Sequence, residues 1–128
     1  MTFIKNLIVC FWFLLLFSCG GPEIPELVAL EYEKLPKEID FNLHVKPILS
    51  DKCFICHGPD NAKIKGGLQL HTPELAFKES TESPGTFAIK PGNLKKSEVF
   101  HRIITADPKY IMPEPGSHLS LSNYEKAV

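Results

Sequence analysis

The sequence predicts a small, mainly α-helical domain interrupted by short extended segments and closed by a truncated C-terminal helix. Three observations carry that reading. Apolar residues recur at helical spacing in short groups, Val45, Ile48 and Leu49 in one and Val99, Phe100, Ile103 and Ile104 in another. Helix-start signals stand before the predicted helices: Asn42, Thr72-Pro73, Ser97 and the capping box Ser122-Asn123-Tyr124-Glu125. All eleven prolines lie from Pro22 onward, which keeps helices short and loops many.

The 128 residues support one such domain plus an export segment. Charge is near balance, with 14 Lys and Arg against 15 Asp and Glu, and nothing argues for nucleic acid as a partner. Without the export segment the count is 13 against 15, a net charge of −2, because that segment holds Lys5 and no acid. A domain of this size has little core and gains from a staple.

Residues 1–18 read as a signal peptide. Lys5 precedes an apolar run from Leu7 to Phe17 that includes Cys10, and small residues follow. The run is shorter than the roughly 20 residues of a membrane span. Leu16-Phe17-Ser18-Cys19 resembles the lipobox of bacterial lipoproteins, which implies lipidation at Cys19 and a membrane-anchored protein on the extracytoplasmic or periplasmic side. Phe17 is bulkier than the residue that pattern prefers. Residues 19–39 follow as an acidic linker holding Pro22, Pro25 and Pro36, with a short helix over Glu26–Lys34.

The folded domain occupies residues 40–128. Asn42 is the expected N-cap of its first helix. Pro47 either kinks that helix or lies in the first turn of a regular part that begins later. Gly58-Pro59-Asp60-Asn61 is a turn, and Gly66 to Leu70 a short extended piece. Thr72-Pro73 opens a helix to about Glu79, and Phe87-Ala88-Ile89 is expected to pair with Leu68–Leu70. A helix capped by Ser97 is stopped by Asp107-Pro108. The last helix has barely two turns, so the chain reads as a fragment that a longer C-terminus would stabilise.

The chemistry is concentrated in Cys53-Phe54-Ile55-Cys56-His57. In an exported protein a C-x-x-C-H run is a c-type haem attachment site. Two thiols three positions apart can each add across one porphyrin vinyl group, and the next residue offers an imidazole to the iron. The alternatives are a thiol–disulfide pair or half of a zinc site. No β-α-β pattern of a redox fold surrounds the motif, and His44, His71, His101 and His118 are scattered singly. The reading is therefore one covalent haem c, held by Cys53, Cys56 and His57.

A haem iron with one histidine has a sixth position to fill. Met112 is the sole methionine after the export segment, 55 residues beyond His57, in the proline-rich run Tyr110-Ile111-Met112-Pro113-Glu114-Pro115. Its thioether favours ferrous iron and suits electron transfer. His71, His101 and His118 are the other candidates.

Asp40-Phe41-Asn42, Pro47 to Asp60, Lys65 to Leu70, Ala88 to Gly92, Ser97-Glu98, Arg102-Ile103 and Met112-Pro113 together resemble the planctomycete-type cytochrome c domain. The resemblance implies a cytochrome c-like fold with Cys53 and Cys56 as thioether positions, His57 proximal and Met112 distal. Two departures stand out: Glu114 interrupts the run of prolines that the family favours after the methionine, and Gln69 and His71 replace its frequent Arg and Asp. The implied function is a non-catalytic electron carrier, with a redox partner protein or an attached downstream domain. The alternative is an electron-feeding domain of a larger secreted oxidoreductase or hydrolase.

Overall fold

The structure, a computed structural model, describes residues 22–80 and 83–128. The signal peptide, Cys10, Cys19 and two residues of the 80–86 loop lie outside the described residues. The fold is mainly helical, as expected, and among the described residues the extended segments meet only at isolated bridges. Among the described residues no helix is long and apolar enough to cross a membrane.

Helix α1, Glu26–Tyr32, lies within the acidic segment. Pro25 occupies the position before it, and its carbonyl accepts from Val28 N–H and Ala29 N–H at 2.9 and 3.0 Å. Val28 is its buried residue, while Leu27 and Leu30 are exposed. The helix packs on the last helix of the chain, so this part of the segment rests on the domain.

Phe41–Val45 form a π-helical turn, and the regular helix α2 runs over Lys46–Lys52. Pro47 therefore sits in the first turn of α2, where its missing N–H leaves no bond unmade. The cap is Asp40, not Asn42. The Asp40 carboxylate accepts from Leu43 N–H at 2.8 Å, and the wider π turn moves the start two residues upstream of the expected one. The half-buried His44 ring hydrogen-bonds back to the Asp40 backbone. Cys53 ends α2 and begins α3, Phe54–His57, with φ −121° and ψ −37°, so the chain changes direction at the first motif cysteine.

Helix α4 covers Pro73–Ala76 behind Thr72 and is shorter than the sequence suggests. Phe77 N–H still reaches Pro73 O, but the chain then turns so that Ser80 N–H can bond Thr86 O. Phe87 bridges Glu79 and Ser97 rather than Leu68–Leu70. The Leu68–Leu70 segment is occupied elsewhere, since Leu70 N–H bonds His57 O at 2.7 Å.

Helix α5, Glu98–Ile104, begins after Ser97 but not through a side-chain cap. The Ser97 hydroxyl is buried and is used across the loop, donating to Asn93 O at 2.8 Å and accepting from Lys90 N–H at 2.9 Å. The helix ends at Ile104, before Asp107, because Thr105 is already extended. Helix α6, Asn123–Ala127, carries the predicted capping box, with both Ser122–Glu125 bonds made.

Candidate functional site

The domain holds a cavity of about 620 Å³. Cys53, Cys56 and His57 line it, and so does Met112 from a separate part of the chain. Leu68, Leu70, Leu75, Phe87, Val99 and Ile103 supply apolar wall. Among the described residues only Val28, Leu70 and Ala76 are buried apolar residues, and no large side chain is fully buried. Protein interiors are normally close-packed. Here the apolar side chains face a central space instead of one another, which suits a large, mostly apolar guest.

The Cys53–His57 wall is tied together by backbone hydrogen bonds. Cys56 N–H and His57 N–H both donate to Cys53 O, at 3.1 and 2.8 Å. Cys56 O accepts from Lys65 N–H at 3.0 Å and His57 O from Leu70 N–H. Between these two anchors Gly66 and Gly67 adopt φ of +58° and +61°, a left-handed turn that side chains disfavour. The strap then places Leu68 O 3.2 Å from His57 Nδ1. A carbonyl can only accept, so Nδ1 carries the proton and Nε2 keeps a free lone pair. This is the arrangement in which a histidine serves as a metal ligand.

Gly58 is required by a close approach. A Cβ there would stand 2.8 Å from Phe54 Cβ and nearer still to Phe54 O. The glycine makes room for Phe54 of α3.

The Met112 wall is held differently. Met112 N–H donates to Arg102 O at 2.9 Å, in the last turn of α5, where a carbonyl lacks a helical partner. Two residues on, the Glu114 carboxylate pairs with Lys65 Nζ. That bond is the main reason the Lys65 ammonium holds its proton more tightly than usual.

Burial pushes the Cys53 thiol up from 9.0 to about 11. Redox-active cysteines are shifted the other way, toward thiolate at neutral pH. Cys53 and Cys56 are free thiols. Among the described residues no three His, Cys, Asp or Glu side chains gather into a metal-holding group.

The remaining sequence candidates lie apart from this cavity. His71 has a buried Nδ1 with no hydrogen-bond partner. His101 hydrogen-bonds Lys95 O from an exposed position, and His118 is exposed with φ +59°. Sequence reasoning missed the Leu68 carbonyl behind His57, the Arg102 carbonyl behind Met112 and the Lys65–Glu114 pair. The one signal available was the acid interrupting the prolines at 114.

A helical domain with an apolar centre and a C-x-x-C-H helix on its wall is a small haem-binding electron carrier. The family model for planctomycete cytochrome C matches residues 53–116, half of the chain, and the chain belongs to that family. The match runs from the first motif cysteine past Met112. No curated protein and no solved structure matches the chain.

Proposed function

We propose that this chain is a monohaem c-type cytochrome that carries electrons outside the cytoplasm from a lipid anchor. One observation carries the reading: residues 53, 56, 57 and 112, far apart in part along the chain, line one apolar cavity. Cys53 and Cys56 are the thioether positions. His57 is the proximal ligand through Nε2, oriented by the bond from its Nδ1–H to Leu68 O. Met112 would supply the second protein ligand, and a metal held by both His57 and Met112 would serve a carrier rather than a catalyst. Bound haem supplies a reversible one-electron couple. The chain's own contribution is to fix two ligand-bearing segments, exclude water with leucine and phenylalanine walls, and favour the ferrous state through a soft thioether.

The partner is a redox protein, or a catalytic domain joined to this one in a longer secreted protein. Cys19 anchors the protein at a membrane through its lipid. Labelled fatty acid fed to an expressing bacterium should appear on the wild type and vanish with Cys19→Ala; label on the variant removes the anchor.

The central experiment is a visible absorption spectrum of protein made with c-type maturation machinery. Haem should remain on the polypeptide after denaturation and acid–organic extraction. The ferric protein should show the weak red-end band of an iron–methionine bond. Haem that extracts freely overturns the covalent reading. Met112→Ala should abolish the band, lower the potential and admit cyanide or carbon monoxide. If band and potential persist in that variant, Met112 only packs.

A further inference from the structure

Lys65 and Glu114 are 49 residues apart in sequence, and both line the cavity. Lys65 is built into the proximal wall, since its N–H bonds Cys56 O, the carbonyl next to His57. Glu114 is built into the distal wall. Its carbonyl accepts from Ser117 N–H at 2.9 Å and from the Ser117 hydroxyl at 2.6 Å, which fixes the backbone two residues past Met112. The carboxylate and the ammonium meet between these two fixed points. A proline at 114 could not make this pair, and Gly66 and Gly67 turn the chain away immediately after Lys65. Apart from it and the bonds to Ser117 within the same loop, the one hydrogen bond among the described residues that ties the 112–114 segment to the rest of the domain runs from Met112 N–H to Arg102 O.

We propose that Lys65 and Glu114 form an ionic clasp across the cavity that positions the Met112 loop against the Cys53–His57 wall. The two are positioning residues: they act on the sixth ligand through the loop and do not touch the iron. The proposal rests on Met112 being that ligand. Both side chains are substantially exposed, at 59% and 45%, so the clasp is a modest, salt-screened one. Its effect falls on how readily the loop swings away and yields the sixth position to an added ligand.

The test is imidazole binding to the ferric holoprotein, followed by loss of the red-end band. Glu114→Gln and Lys65→Met should each keep the band in the absence of imidazole. Each should bind imidazole about two- to five-fold more tightly than wild type, the range of an exposed ion pair. The exchanged pair, Lys65→Glu with Glu114→Lys, should return toward wild-type affinity, which a simple packing role for either side chain would not produce. Raising salt should tighten imidazole binding to wild type and leave the single variants nearly unchanged. Equal affinities in wild type and both single variants overturn the clasp, as does failure of the exchange to restore affinity. Met112→Ala separates the two ideas. If it leaves band and affinity unaltered, the ligand assignment fails and the clasp with it. If it abolishes the band while Glu114→Gln matches wild type, the clasp alone fails.

Discussion

The two walls of the cavity are built on different principles. The Cys53–His57 wall is a helix end followed within thirteen residues by its own strap, and every carbonyl from Cys53, Cys56 and His57 is hydrogen-bonded. The Met112 wall is a loop anchored by one backbone bond to α5 and one exposed ion pair to the opposite side. Short-range bonds close small loops and cost little chain entropy. The long-range contacts of the distal wall are fewer and individually weaker. The thiols and the imidazole therefore sit on the more firmly tied wall, and Met112, the proposed sixth ligand, on the less firmly tied one.

The largest break in that contrast should come from Leu70→Ala. Leu70 is 5% exposed, and its N–H is the bond to His57 O. Truncating a buried leucine typically costs about 2–5 kcal/mol. Chemical denaturation of the holoprotein should show a loss in that range. A loss below about 1 kcal/mol would mean that the strap does not support the proximal wall.

Gly58→Ala comes next. The added methyl has no space against Phe54, and its neighbour there includes backbone that cannot step aside. Overpacking of this kind costs about 1–3 kcal/mol. The variant should also attach haem poorly, because α3 carries Cys56 and His57 and follows directly on Cys53. Normal stability and normal haem content together would show that α3 has slack the geometry does not suggest.

Ser97→Ala probes the support of α5, which holds the Met112 wall. It removes a buried hydroxyl and leaves Lys90 N–H and Asn93 O without that partner. The expected cost is about 1–3 kcal/mol, toward the lower end because both orphaned groups lie near the surface. Thermal melting should fall while the red-end band of the folded protein persists. A lost band with unchanged melting would instead place Ser97 in control of the loop.

What was legible in the sequence follows the same division. The 53–57 motif and the Ser122–Glu125 capping box depend on neighbours a few residues away, and each can be read from spacing, whereas spacing leaves both a kink and a first-turn position open to Pro47 and the fold takes the second. Asn42 and Asp40 are both good caps, and the π turn that selects Asp40 leaves no mark in the pattern of apolar residues. The pairing of Phe87 with Glu79 and Ser97 was missed because Leu68–Leu70 offered equally alternating side chains. Only the fold reveals that Leu70 is already bonded to His57. Ser97 reads as a cap in sequence because serine is a frequent one. In place, its hydroxyl serves the preceding loop. The bond from Lys65 to Glu114 depends on two loops meeting across the domain, and no local rule anticipates it.

The smallest effect is one that vanishes at neutral pH. In chain lacking haem, Cys53 is a half-buried thiol held protonated to about pH 11, against 9.0 when solvated. Between those values the folded chain binds more protons at this site than the unfolded chain does. Stability from this group is therefore complete below pH 9 and is lost as pH rises toward 11. Lysine and tyrosine residues also titrate there, so the informative quantity is the difference from Cys53→Ala, measured by urea denaturation at pH 8 and at pH 10.5. The wild-type apo chain should lose more stability over that interval than the variant. Its Cys53 should also alkylate slowly at pH 8, because the thiolate is the reacting species. Identical pH dependence in the two chains, with rapid alkylation, would mean that Cys53 is solvated in the apo state. The proximal wall would then be formed only once haem is attached, and the contrast between the two walls would belong to the holoprotein alone.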